Sequence, residues 1–198
     1  MKNYYYYLFA LILCSCVSLK PSQKGTFVDQ RDGHEYKWVQ LGNQTWMAQN
    51  LDFVCGNSWY YNNDSTNHKF YGRYYNCETA KVVCPPGWHL PSDNEWKTLE
   101  KAVGMQYYDA DMRMFRGFVA KKFVGKKGKT EFNVLFLGRY AQGKVDKFGE
   151  HAQFWTSTKD GIPTFTRLFV KGDERIGRTS IGSAYGCNVR CIKDNDIH

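Results

Sequence analysis

The stretch Tyr75–Trp96, YNCETAKVVCPPGWHLPSDNEW, constrains this chain more than any other. Over Tyr75–Val83 the spacing predicts a helix, with Cys77, Ala80 and Cys84 at i, i+3 and i+7 on one stripe. Pro85 and Pro86 cannot continue that helix, and Gly87 follows as a turn residue. At 1.5 Å of rise per residue the two thiols stand about 10 Å apart. A disulfide needs Cα atoms within about 7 Å, so Cys77 and Cys84 cannot pair with each other. Near the other end, Ala184–Lys193 reads as a strand with Cys187 and Cys191 on one face, about 13 Å apart. They cannot pair with each other either. Two bridges between the helix and the last strand resolve both constraints. The rival is a four-cysteine zinc site, whose ligand pairs usually sit two to four residues apart, and only Cys187 and Cys191 come near that spacing. Cys55 is left over, either free or competing for a partner.

Disulfides require export, and the N-terminus supplies the signal. MKNYYYYLFALILCSC carries Lys2 and then an apolar run from about Tyr4 to Leu13, too short for the roughly 20 residues of a membrane span. It fits the apolar region of a secretory signal peptide. Leu13-Cys14-Ser15-Cys16 resembles a bacterial lipobox, which implies cleavage after residue 15 and lipidation of Cys16. The expected organisation is a signal peptide over 1–15, a polar tether over 16–24 and one domain over 25–198. The formal charge of +8 falls to +7 once Lys2 is removed, and 17% aromatic residues argue against disorder.

Turn chemistry divides the domain. Asp32-Gly33 predicts a hairpin between strands Thr26–Gln30 and Glu35–Leu41, and Gly42-Asn43 turns the chain into Gln44–Ala48. Ser92 with Glu95 three residues on is a capping box that opens a helix reaching about Val103, with Trp96, Leu99 and Val103 on its core face. Phe132–Leu137, Gln153–Ser157 and Thr164–Val170 read as further strands. The expected class is α+β, a mostly antiparallel sheet with two short helices.

Ala80-x3-Cys84-x2-Gly87-x2-Leu90, followed by Trp96-x2-Leu99, resembles the first-helix signature of C-type lectin-like domains. The chain as a whole resembles the Fibrobacter succinogenes major paralogous domain, a family of bacterial exported and lipoprotein modules. The matching pieces are residues 32–51, 71–96, 130–140, 154–158 and 185–194, with CPPGWHLPSDNEW and the late Val189-Arg190-Cys191 the most specific. The resemblance implies that Cys84 and Cys191 form the principal bridge, leaving Cys77–Cys187 as the second. Two departures stand out. Tyr60 and His68 occupy places where many relatives carry a cysteine pair flanking the loop, and Cys187 replaces a residue more often bulky and apolar.

The chain has no phosphate-binding loop, no nucleophile elbow and no HExxH. Its histidines, His34, His68, His89, His151 and His198, never occur at ligand spacing, and His89 reads as a packed residue. No metal or cofactor is expected. The sugar-coordinating calcium loop of C-type lectins is absent, and the late strand reads Phe154-Trp155-Thr156-Ser157-Thr158 in place of its Trp-Asn-Asp. The basic run Lys121, Lys122, Lys126, Lys127 and Lys129, with Arg113 and Arg116 before it, reads as a solvated face. An exported, anchored domain gives it no nucleic acid to meet. The function implied is a non-enzymatic binding or adhesion module, lipid-anchored in the cell envelope as an outer-membrane lipoprotein, with a glycan or protein ligand. The alternative implied by the same fold is an oxidase resembling formylglycine-generating enzymes, which would need Cys187 and Cys191 as copper-binding thiols. By analogy with lectin-like folds, the ligand face comes from loops around 138–149, 158–161 and 171–183, with Arg139, Tyr140, Lys144 and Trp155 at their margins.

Overall fold

In the computed structural model, which describes residues 23–64, 66, 68–125 and 128–194, strands of alternating burial dominate. The hairpin β1 (Lys24–Val28) and β2 (Glu35–Leu41) turns at Asp29–His34, and β3 (Gln44–Met47) returns across Gly42-Asn43. In β2, Tyr36, Val39 and Leu41 point into the core while Glu35 and Lys37 face water. Two short strands complete this sheet, β6 (Trp88–His89) and β14 (Ile192–Lys193), in the order β1-β2-β3-β14-β6. The first and last strands therefore share one sheet. A second sheet runs β10 (His151–Lys159), β11 (Thr164–Val170), β12 (Ile176–Ile181) and β7 (Met114–Arg116). The third has the order β4 (Ser58–Trp59), β5 (Tyr74–Asn76), β13 (Gly186–Cys187), β8 (Arg139–Ala141) and β9 (Lys144–Asp146). All named pairs are antiparallel, and helices are few and short: α1 (His68–Tyr71), α2 (Cys77–Ala80), α3 (Asp93–Ala102) and α4 (Tyr107–Ala110). None of them is long and apolar enough to cross a membrane.

The capping box forms as the sequence predicts. Ser92 Oγ accepts from the Glu95 N–H at 3.2 Å, and Glu95 Oε2 accepts from the Ser92 N–H at 2.7 Å. Trp96 and Leu99 are fully buried, and Trp96 packs with Trp46, Phe132 and Phe154. On the same helix Glu100 and Asp93 meet a set of buried arginines. Glu100 accepts from Arg116 Nη2 at 2.5 Å and from Arg167 Nε at 2.7 Å; Asp93 accepts from Arg167 and Arg178, each at 2.8 Å. Burial alone would raise the Asp93 pKa, but Arg178 and Arg167 outweigh it and hold the carboxyl far below the usual range. Arg116 is thus a core residue, not part of the solvated basic face. Lys122 likewise donates to the Val103 carbonyl, and Lys121 pairs with Glu174.

Two expected elements divide. The helix predicted over Tyr75–Val83 is a strand to Asn76 and then one helical turn. Asn76 is the N-cap, its side chain accepting from the Thr79 N–H at 2.9 Å, so helix begins only at Cys77. Val82 and Val83 are β-branched, and Cys84 precedes a proline, which ends it early. The strand predicted over Ala184–Lys193 is two, β13 in the third sheet and β14 in the first. Phe132–Leu137 is irregular, with a single parallel bridge from Val134 to Val124.

Cys84 and Cys191 are joined, Cα to Cα 5.9 Å, closing a loop of 107 residues. The expected second bridge does not form: Cys77 and Cys187 are free, buried thiols. Cys187 lies opposite Tyr75 and Gly186 opposite Asn76, where the ladder ends, so Cys77 already belongs to α2 and has no partner across the strands. Cys77 Sγ faces Thr164 Oγ1 at 3.1 Å instead, and burial pushes the Cys187 thiol well up. Cys55, half-buried, is also free. The expected signal peptide, Cys16 and the tether to residue 22 lie outside the described residues, as do Lys126 and Lys127.

Candidate functional site

Of the four residues expected to mark a ligand face, three come together on one hairpin and the fourth is elsewhere. Trp155 on β10 is fully buried, and its indole N–H donates to the Tyr75 carbonyl at 2.7 Å. A buried, satisfied indole offers nothing to a ligand, so Trp155 is a core residue. Arg139 and Tyr140 lie on β8 and Lys144 on β9, paired across the turn at Gln142-Gly143. Arg139 Nε donates to Asp146 at 3.2 Å, and its guanidinium stands 4.5 Å from the ring of Tyr185. Lys144 is exposed. The expected loop at 171–183 is largely strand β12, and the 158–161 loop is tied by Asp160 to Arg113. Both border the second sheet, whereas β8 and β9 belong to the third.

Trp59 completes the surface. Tyr140 stacks on Trp59 with centroids 4.3 Å apart and planes inclined by 8°. Trp59 sits on β4, across β5 and β13 from β8. The ring can cross because β13 carries glycine at that point. A Cβ built on Gly186 would stand 3.1 Å from the Trp59 ring and 3.0 Å from Tyr140 Cβ. Any larger residue there would wedge the two apart.

A second ring stack lies next to the first in sequence. Tyr61 stacks on Phe148 at 4.1 Å, with Tyr71 edge-on to both at 6.1 and 5.9 Å. Between Trp59 and Tyr61, Tyr60 covers the guanidinium of Arg73 at 3.6 Å. Arg73 is buried; its Nε donates to Ser58 Oγ and its Nη2 to the Ser58 carbonyl, both at 3.0 Å. Among the described residues its Nη1 has no hydrogen-bond partner. The rings of this face are half-buried, and Phe148 is 39% exposed.

The loop residues Trp59, Tyr61 and Tyr71 are therefore held by ring contacts. They share one surface with the β8–β9 hairpin and do not form an opposite one. Sequence reasoning set the Trp59–Tyr61 loop on the other surface, as the alternative ligand site, and passed over Tyr71, Phe148 and Tyr185, although the aromatic density of SWYY and FYGRYY was the available signal. Chemically the face offers flat apolar area, one arginine partly neutralised by Asp146 and one free-standing lysine. That combination suits recognition and offers no acid–base or nucleophilic pair. Among the described residues no group of three His, Cys, Asp or Glu side chains gathers as a metal site would.

The sequence profile of the Fibrobacter succinogenes major domain matches residues 39–193. No curated protein and no solved structure matches the chain.

Proposed function

Because this chain belongs to the Fibrobacter succinogenes major domain family, whose name carries no activity, we propose a function from the surface itself: an exported, lipid-anchored binding or adhesion module. The fold we assign to it is C-type lectin-like. The presence of the first and last strands in one sheet and the Cys84–Cys191 bridge from the segment after α2 to the residue before β14 are consistent with that assignment. Lipidation at Cys16 anchors the domain to the outer membrane, and the third sheet carries the ligand face. The single observation behind the binding reading is the stack of Trp59 on Tyr140, half-exposed and flanked by Arg139 and Lys144. Rigid aromatic area beside a directed cation is the composition of binding hot spots. A glycan is the preferred ligand class, since the flat rings match the apolar face of a pyranose; a protein ligand is the second.

Binding is favoured over the oxidase alternative by one feature. That chemistry needs Cys187 and Cys191 as thiols, and Cys191 is in the bridge.

A glycan array probed with the full chain tests the proposal. Tyr140→Ala and Lys144→Ala should each weaken capture at least tenfold. Unaltered capture by both variants places the ligand elsewhere. For the anchor, Cys16→Ser should release the protein from the membrane fraction or block its maturation; unchanged partitioning counts against lipidation.

A further inference from the structure

A groove of about 740 Å³ lies between the β1–β2 hairpin and the irregular segment 131–135, away from the Trp59–Tyr140 stack in its lining residues. Its base contains Arg190, a guanidinium only 1% exposed. Among the described residues no carboxylate pairs with it. Its partners are neutral: Asn50 Oδ1 at 2.7 Å, the Met47 carbonyl at 3.4 Å, the Asn133 carbonyl at 3.0 Å and the Phe132 carbonyl. Arginine has five N–H donors, so these four contacts leave one on Nη2. Burial pushes the Arg190 pKa down to about 9, which still leaves a cation at neutral pH. A buried charge without a counter-charge is costly, and proteins usually pair it.

Three further observations describe what would fit. Asn133 lines the groove, and its Oδ1 is buried with no hydrogen-bond partner among the described residues, an acceptor waiting for a donor. Glu131 and Asn133 both hold left-handed backbone, φ 54° and 56°, a conformation that costs free energy and clusters at ligand sites. The wall is Trp38, whose indole donates to the Thr26 carbonyl and lies flat over Gly25, 2.8 Å from where a Cβ would stand. Lys24 and Lys37 add positive charge at the rim. The groove's one carboxylate, Glu131, is paired with Lys24 at 2.9 Å.

We propose that this groove binds a carboxylate-bearing saccharide, its carboxylate drawn toward Arg190, a ring hydroxyl donating to Asn133 Oδ1 and its apolar face against Trp38. The cation, which has carbonyls, an amide and the rings of Phe132 and Phe154 around it but no counter-charge among the described residues, selects an anion. The orphan acceptor selects a hydroxyl beside it and disfavours sulfate, which at neutral pH has only acceptor oxygens to present. The indole favours a ring over a simple ion. The site goes beyond the ligand face of the third sheet and rests on different residues.

Calorimetric titration of the full chain with three probes tests it: a galacturonic acid trisaccharide, a neutral galactose trisaccharide and inorganic sulfate. Arg190→Lys risks misfolding, so the decisive variant is Asn133→Asp, which tolerates the same backbone and puts a negative charge where the acceptor stands. The expected result is binding of the galacturonate, at least tenfold weaker binding of the neutral sugar and no competition from sulfate. Asn133→Asp should weaken the galacturonate at least tenfold at an unchanged melting temperature, and Trp59→Ala should not weaken it. The proposal is overturned by absence of galacturonate binding, by equal binding of the neutral sugar or by displacement with sulfate. It is equally overturned if Asn133→Asp binds as wild type, or if Trp59→Ala abolishes binding.

Discussion

Arginine does opposite work in two regions of this molecule. Around α3, Arg116 and Arg167 are sealed from water, each bonded to Glu100, and Arg167 reaches on to Asp93. On the third sheet, Arg139 keeps more than a quarter of its side chain exposed, pairs with a half-exposed Asp146 and leans on Tyr185. The first set joins α3 to the second sheet, since Arg167 is on β11, Arg116 on β7 and Arg178 on β12. The second stands beside rings with open faces. A buried charge network specifies one arrangement of its elements, because every alternative strands a charge. An exposed pair beside aromatic rings specifies little and leaves surface free for a partner. The region held by charge is scaffold, and the region held by rings is where recognition is possible.

The sharpest way to break that contrast is to remove one carboxylate from each region. Glu100→Ala leaves Arg116 and Arg167 buried without their shared partner and should cost about 3–5 kcal/mol. Asp146→Asn removes a partner of comparable chemistry at the surface and should cost under about 1 kcal/mol. Urea denaturation of the two variants reads both values. Equal losses would show that burial does not separate the regions.

The bridge acts on the same scale. Cys84→Ala opens a loop of 107 residues and should cost about 4–5 kcal/mol in the chain-entropy account, with about 2–5 typical of measurement. Cys77→Ala and Cys187→Ala together remove no bridge, so their cost is limited to lost packing. Alkylation of the denatured, unreduced protein followed by peptide mass spectrometry should modify Cys77 and Cys187 and leave Cys84 and Cys191 unmodified. A Cys77–Cys187 crosslinked peptide would restore the expected second bridge, which the structure lacks.

Smaller still is the effect of Gly186→Ala. Its Cβ meets Trp59 and Tyr140 at 3.0–3.1 Å, so the stack must open. Overpacking of this kind costs about 1–3 kcal/mol, at the low end here because half-buried rings can move. Near-ultraviolet circular dichroism should change in the tryptophan band while the far-ultraviolet spectrum does not. An unchanged near-ultraviolet spectrum would mean that Gly186 is not what lets the rings meet.

These contrasts also explain what could be read from the sequence. Local chemistry was legible: Ser92 with Glu95, the Asp32-Gly33 turn and the apolar positions of β2 each act within a few residues. The split of the last expected strand between two sheets was not. Gly186-Cys187 and Ile192-Lys193 join different sheets because of partners more than a hundred residues away, and nothing in Ala184–Lys193 marks the break. Strand β12, IGRTSI, looks like a polar loop until Arg178 is known to meet Asp93. Burial of an arginine depends on an acid elsewhere in the chain, so residue type alone assigns it to the surface. The ligand face suffered likewise: Arg139, Tyr140 and Lys144 were visible as a turn, but their ring partner Trp59 lies some eighty residues upstream.

The smallest expected effect is a pH dependence at a third kind of charged contact, neither sealed nor free. His89 Nδ1 lies 2.5 Å from Asp194 and Nε2 lies 2.8 Å from Glu95, so two carboxylates clamp one imidazole between the residue after β14 and the start of α3. Burial works against the imidazolium, but the hydrogen bonds to Asp194 and Glu95 outweigh it and raise the His89 pKa above its ordinary 6.5. The folded state therefore binds this proton more tightly than the unfolded chain. That contribution is fully present below about pH 6.5 and is lost as pH rises through the folded pKa. The carboxylate of Glu95 is held below its usual range, so the clamp fails only at distinctly acidic pH on the other side. With the side chain 42% exposed, screening keeps the effect modest. His151 shifts the opposite way, pushed down by burial and by Lys147, so the whole-protein profile mixes two histidines. Comparison with His89→Gln isolates one. The stability of wild type relative to that variant should be greatest near pH 5.5–6 and shrink steadily toward pH 9. A gap that stays flat, or widens as pH rises, would show that the clamp holds a neutral imidazole and that His89 is only packed.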